Sequence, residues 1–330
     1  MIHLIYVEKE IQDHPRVKKI LQRFPDLPTV TIDRYGEIFN RAKQNFRLQK
    51  QFPALILAKK YGKFLHQIPQ NYGIGQKYNF YFSHILNCPF DCGYCFLQGM
   101  YRSGYYVLFV NYEDFQQEIQ KAAARHSKNC AFFSGYDGDS LALESLTSFA
   151  EEFLSFAETL PHALFELRTK SIFIKPLLER KPLANCVIAY SLNPEIIAKE
   201  IEKKTPPLHK RLQSLLKLQN QGWPIGLRFD PIVLHHNFQK EYIPFFEQIF
   251  QSLSEKNIHS VTLGSLRLPQ GTYRQMMKNA PHDKILATLT EQTGFFSYSP
   301  SIEREILQQC QEKILQYIPK NKLFVCSGQY

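Results

Sequence analysis

Apolar and polar positions along the chain recur with two different periods. LIYVE (4–8) and TVTID (29–33) are short runs rich in β-branched residues and read as strands. Between them, PRVKKILQRF (15–24) sets Val17, Ile20, Leu21 and Phe24 at the three- and four-residue spacing of one helix face. FNRAKQNFRLQK (39–50) reads as a second helix. From residue 79 the alternation becomes regular. Six strand-like runs follow: FYFSHIL (80–86), CAFFSG (130–135), ALFELRT (163–169), CVIAYSL (186–192), PIGLRFDPIV (224–233) and SVTLGSL (260–266). Helical patterns lie between or after them at 113–126, 145–160, 209–222 and 242–256, and SIEREILQQCQEKILQYI (301–318) closes the series. Strands alternating with helices predict parallel βαβ units, in a sheet that is open and doubly wound or curled into a full or partial barrel. Either way, chemistry is expected at the carboxyl ends of the strands.

Composition narrows the class. The 330 residues are 44% hydrophobic and 14% aromatic, ample for a large core. The first ten residues carry no secretory pattern, and no apolar run is long enough to span a bilayer, so a cytoplasmic protein without membrane contact is expected. Seven cysteines, four of them scattered (Cys130, Cys186, Cys310 and Cys326), suit reduced thiols rather than a disulfide scaffold. The net charge of +10 is concentrated early, with 15 Lys/Arg against 7 Asp/Glu in residues 1–110. No acidic residue occurs between Glu37 and Asp91, while Arg41, Lys43, Arg47, Lys50, Lys59, Lys60, Lys63 and Lys77 lie in that gap among aromatic residues. This 38–77 segment is suited to a polyanion such as nucleic acid, or forms a solvated basic face.

The other three cysteines are crowded into HILNCPFDCGYCFLQG (84–99), as Cys88-x3-Cys92-x2-Cys95 after the first of the six strands. Three thiols are one short of the usual four-ligand site. A closed zinc site would take a fourth ligand, for which His84 is the local candidate, and would staple a nucleic-acid-binding module without radical chemistry. A 4Fe–4S cluster held by three cysteines instead leaves one iron open to a chelating substrate. This spacing, with the aromatic Tyr94 before the last cysteine, resembles the radical S-adenosylmethionine signature. The placement after the first of six βα units also resembles that superfamily. The resemblance implies an α/β fold with a partial (β/α)6, TIM-like barrel over 78–330 and a C-terminal helical closure. Residues 1–77 then form a small N-terminal α/β extension. It further implies an enzyme that cleaves S-adenosylmethionine reductively to a 5′-deoxyadenosyl radical, with a flavodoxin- or ferredoxin-type electron donor.

Within that superfamily, CGYCFLQG (92–99), YVLFVNYEDF (106–115), FFSGYDGDSLALESLT (132–147), LRTK (167–170), YSLN (190–193) and LRFDPIV (227–233) resemble the spore photoproduct lyase family, a group of DNA-repair lyases. The likeness implies that Cys88, Cys92 and Cys95 ligate the cluster and that Tyr94 packs near the adenine. It implies that Lys170 and Ser191 touch S-adenosylmethionine, with Asp230 and Asp139 at the strand ends as hydrogen-bonding or capping carboxylates. From the residues alone, Lys170 reads as a strand-end surface lysine and Ser191 as a turn residue. Three departures stand out. Tyr136 occupies the position of the family's hydrogen-donating cysteine, Phe96 that of a tyrosine, and Gly138 that of a small hydroxyl residue beside the cofactor. A phenol can donate a hydrogen atom, which makes Tyr136 a catalytic candidate; a tyrosine that merely packs is the plainer reading. The family's basic aromatic hairpin, which opens DNA, has no clear counterpart: the matching stretch, ATLTEQTGFFSYSPS (287–301), is shorter and has no Lys or Arg. The substrate is left open, with a DNA photoproduct or a nucleotide among the expectations.

Overall fold

The computed structural model describes residues 2–126 and 129–326. Its larger sheet has eight strands, and the six central ones run parallel in chain order: Tyr78–Tyr81, Cys130–Ser134, Leu164–Thr169, Cys186–Ser191, Ile225–Ile232 and Ile258–Ser265. Leu323–Cys326 adds a parallel strand at one edge, and His66–Gln67 an antiparallel one at the other. The sheet curls into a half barrel. Strands buried on both faces carry near-continuous apolar sequence, as the runs at 130 and 186 do. Phe82, Phe132, Phe153 and Phe165 pack as a chain of rings under the first three barrel strands. Helix Leu208–Gln221 stops where Gly222 takes a left-handed φ of 102° that costs a glycine little.

The smaller sheet orders its strands Thr29–Ile32, Leu4–Glu8, Ala54–Ala58, Tyr106–Phe109, Ile85–Leu86. Its own core is Ile5, Val7, Val17, Ile20, Leu55, Leu57 and Leu108. The two sheets do not part at residue 78. His66–Gln67 belongs to the large sheet, while Tyr106–Phe109 and Ile85–Leu86 belong to the small one. Arg16 fastens the units together: its guanidinium donates to Glu152 (Nε to Oε1, 3.1 Å), Glu113 (Nη1 to Oε2, 2.9 Å) and the Val110 carbonyl (2.7 Å).

Several sequence expectations are corrected. FYFSHIL is two strands in different sheets, not one. The helix expected over 39–50 covers only Phe46–Gln51, because Asn40 and Lys43 adopt left-handed φ of 62° and 61° that an α-helix cannot contain. The helical pattern at 145–160 is broken at Ser148, which has φ 50°. The arginine-free stretch at 287–301 does make a hairpin, Thr290–Glu291 with Phe295–Ser297, and Arg267–Pro269 pairs with it as a third strand.

Candidate functional site

The cysteine loop follows the first barrel strand and is held from three sides. Asn87, at a left-handed φ of 71°, starts it. The Asn87 amide donates to the carbonyls of Ser103 (2.8 Å) and Tyr105 (3.0 Å), while its oxygen accepts from the Cys88 N–H (3.1 Å). On a second side, Asp91–Cys92 pairs antiparallel with Glu202–Lys203, and the Gly93 N–H reaches the Ile201 carbonyl at 2.8 Å. On the third side lies helix Phe46–Gln51 of the basic segment. The Lys50 ammonium donates to the carbonyls of Phe90 (2.9 Å) and Cys88, and Arg47 donates to Asp91 (3.1 Å) and Gln98. Gln98 closes the loop by donating to the Cys92 carbonyl.

Cys88, Cys92 and Cys95 are free thiols. Burial pushes all three up, Cys92 to about 12, so the bare loop carries thiols that shed protons when a metal binds. Burial lowers the pKa of the Lys50 ammonium, while Cys88, Asp91 and Cys95 oppose that fall. The donor set fits an iron–sulfur cluster: three soft sulfur ligands on one loop, with Lys50 set to offset thiolate charge. His84 does not fit the zinc alternative. It stacks face to face on Phe149 at 3.5 Å, and burial drives its pKa to about 3. Among the described residues no three His, Cys, Asp or Glu side chains are grouped to hold a single metal ion.

Beside this loop the carboxyl ends of the barrel strands bring together most of the residues singled out in the sequence. Lys170, just after the third strand, lies with its ammonium 5.5 Å from the Tyr94 ring centre and 3.9 Å from Glu202. Burial works against its charge, but Cys92 and Glu202 outweigh that and hold its pKa above the ordinary value. Asp139 accepts from the Thr169 hydroxyl (2.7 Å) and from the N–H groups of Lys170 (2.7 Å) and Leu141 (3.0 Å), fixing the strand end on which Lys170 stands. Ser191 ends the fourth strand, and its carbonyl accepts from Arg211 at 3.3 Å. Asp230 lies near the end of the fifth, with its carboxylate over Gly264: a Cβ there would stand 2.8 Å from Oδ1 and 3.2 Å from the Cys326 Cβ. A side chain at Gly264 would therefore fill the space between those two residues.

Two predicted residues stand in unforeseen surroundings. Tyr94 is buried in the wall, its hydroxyl bonded to Glu202 and accepting from Asn193 at 3.3 Å. Gly138 is pressed against the cysteine-loop segment: a Cβ there would meet Ile85 at 2.6 Å and the Asn87 carbonyl at 3.1 Å. Packing alone thus explains its size. Tyr136 is stacked on Tyr81 (4.7 Å, 18°), which in turn stacks on His66 (4.9 Å), with Arg168 5.7 Å from its ring centre. Burial raises the Tyr136 pKa, which keeps the phenol protonated.

Sequence reasoning missed the charges that hold these parts. Glu202 is fully buried between Arg211 (2.6 Å), Asn193 (3.1 Å), Tyr94 and Lys170. Burial opposes its ionisation, yet Lys170 and Arg211 hold its pKa below the ordinary value. Glu166 and Arg228 form a second buried pair on the third and fifth strands. That pair had a signal, because a charge inside an apolar parallel strand needs a partner.

A family model described as spore photoproduct lyase matches residues 75–323. The spore photoproduct lyase of Bacillus subtilis is 25% identical over 202 residues, 60% of this chain and 59% of that protein. The one of Clostridium acetobutylicum is 22% identical over 209 residues, 63% of this chain and 62% of that protein. The match thus spans less than two thirds of either relative. A solved structure of spore photoproduct lyase complexed with dinucleoside spore photoproduct superposes with a TM-score of 0.82 at 18% identity, covering 99% of this chain and 98% of that one. A mutant with bound AdoMet and dinucleoside spore photoproduct gives 0.84 at 17%, covering 100% and 99%. At such identities the likeness is one of fold.

Proposed function

Because the chain belongs to the spore photoproduct lyase family, we propose that it is a radical S-adenosylmethionine enzyme acting on a nucleic-acid or nucleotide photoproduct at the carboxyl mouth of its half barrel. The observation that carries this reading is the free Cys88, Cys92 and Cys95 loop, buttressed by Lys50 and set against Lys170. When bound, a 4Fe–4S cluster and S-adenosylmethionine supply one-electron cleavage of the sulfonium and hydrogen abstraction from the substrate. The three cysteines bind the iron as thiolates, and Lys50 offsets part of their charge. Lys170 suits the carboxylate of S-adenosylmethionine as a charge-assisted partner, with Tyr94 beside it and Ser191 and Asp230 on the next strands as further contacts to the cofactor. Its distance of 3.9 Å from Glu202 is looser than a hydrogen bond and leaves the ammonium able to turn to a ligand. Tyr136 holds its proton at Oη and is the hydrogen-atom donor of this chain, in place of a thiol.

Anaerobic reconstitution tests the first part. About four irons and four sulfides are expected per chain, with 5′-deoxyadenosine formed after reduction. Cys92→Ala should lose both, and retained iron would refute the ligand assignment. The donor is tested with Tyr136→Phe, which should lower product formation by about tenfold or more while 5′-deoxyadenosine still forms. An unchanged product yield would return Tyr136 to a packing role.

A further inference from the structure

The acid-free stretch between Glu37 and Asp91 does not spend its charge as one continuous arm. Part of it, helix Phe46–Gln51, is laid against the cysteine loop. The inward side of that helix is occupied. Phe46 and Lys50 are buried, Gln49 accepts from Ser103 (3.1 Å) and from the Gly104 N–H (2.8 Å), and Arg47 is tied to Asp91. The outward side offers Leu48 and Phe52, which are 54% and 55% exposed. Cations stand on the segments next to the helix. Lys43 is exposed just ahead of the helix, and exposed Lys203 pairs in register with Asp91 of the cysteine loop. Lys204 donates to the Lys50 carbonyl at 2.8 Å. An exposed apolar pair beside a basic rim therefore lies on the outside of the short helix that backs the cysteines.

Resting on the reading above, we propose that this face docks an acidic one-electron redox protein, which reduces the cluster through helix Phe46–Gln51. A flavin hydroquinone anion in the partner gives up one electron and keeps its proton, and the cluster takes up that electron. The rim charge steers an acidic partner and repels a basic one. Leu48 and Phe52 supply the apolar contact that a protein interface centres on. Electron-transfer encounters bury less than about 1,200 Å², so a patch of this extent suffices. Nucleic acid is the other class such charge could hold. The exposed apolar pair and the direct bonds from this helix to the cysteine loop favour the redox partner.

The test uses the full chain and an acidic, FMN-loaded flavodoxin. Lys43→Glu, and separately Leu48→Asp, are compared with the unaltered protein by calorimetric titration across a salt series. Affinity for oxidised flavodoxin is expected to fall about tenfold in each variant. The salt dependence should flatten in the charge-reversed one. Formation of 5′-deoxyadenosine driven by dithionite, a small reductant that needs no docking face, is expected to stay unchanged, while flavodoxin-driven formation falls. Flavodoxin affinity equal to that of the unaltered chain overturns the proposal. So does a loss of affinity for a single-stranded oligonucleotide with flavodoxin binding intact. Failure of dithionite to support cleavage in the unaltered protein would strike the radical reading instead, and the binding isotherms would still judge the docking face.

Discussion

Two buried carboxylates, Glu166 and Glu202, are each paired with a fully buried arginine, yet their surroundings differ. Glu166 sits inside the half barrel, where Arg228 reaches it through Nη2 (2.6 Å) and Nε (3.2 Å), and Arg168 adds a third bond at 3.0 Å. Arg228 spends its other donors on the Ser260 hydroxyl (2.9 Å) and on the carbonyls of Ser260 (3.0 Å) and Leu227 (3.1 Å). Even the backbone yields to it: a Cβ at Gly226 would lie 2.7 Å from the guanidinium. This network is closed. Glu202, besides Arg211 and Asn193, touches parts of the site itself: the Tyr94 hydroxyl of the cysteine loop and, at 3.9 Å, the Lys170 ammonium. The difference separates a charge pair that holds a fold together from one that holds a site ready.

The sharpest way to break the comparison is to remove one partner from each network. Arg228→Met leaves the buried Glu166 with Arg168 as its one remaining cationic partner, and should cost about 3 kcal/mol in urea unfolding. A loss below about 1 kcal/mol would show that water already reaches the pair. Glu202→Gln keeps the shape and hydrogen-bonding capacity, so a smaller cost of about 1–3 kcal/mol is expected. The same variant should change the thermal stabilisation conferred by S-adenosylmethionine, because Lys170 loses its resting partner. The conservative Glu166→Gln should leave that ligand-dependent shift unaltered. Equal ligand responses in the two variants would erase the distinction. The smallest effect is one of pH. Burial alone would raise the pKa of Glu166, but Arg228 and Arg168 bring it to about 2. The titratable groups near it are those two arginines and, more distantly, His259, Tyr136 and Cys186. Its folded pKa lies below an unfolded value of about 4.3, so its contribution is complete above that pH and is lost as pH falls toward 2. Unfolding midpoints from pH 5 to pH 2.5 should therefore fall less in Glu166→Gln than in the unaltered chain.

The barrel was largely legible in the sequence because its strands are apolar on both faces and bounded by turns. Leu4–Glu8 matches the run read there, and five of the six central strands fall within two residues of theirs. The first did not, since Ser83 and His84 look like strand residues but serve as the crossing from one sheet to the other. The cysteine loop was legible because thiol spacing is rare and specific. Its supports were not. Lys50 is one of eight cations in a run, and nothing local distinguishes the one that turns inward. Glu202 and Lys203 form a two-residue strand, too short to leave a period.

The placement of Tyr106–Phe109 between Ala54–Ala58 and Ile85–Leu86 also bears on how the chain comes off the ribosome. The edge of Ala54–Ala58 stays open until residue 109 has emerged, so the amino-terminal unit cannot finish ahead of the segment that carries the thiols. That segment is drawn into position by the same event that completes its neighbour. A fragment ending near residue 77 should consequently emerge with a bare sheet margin and clump.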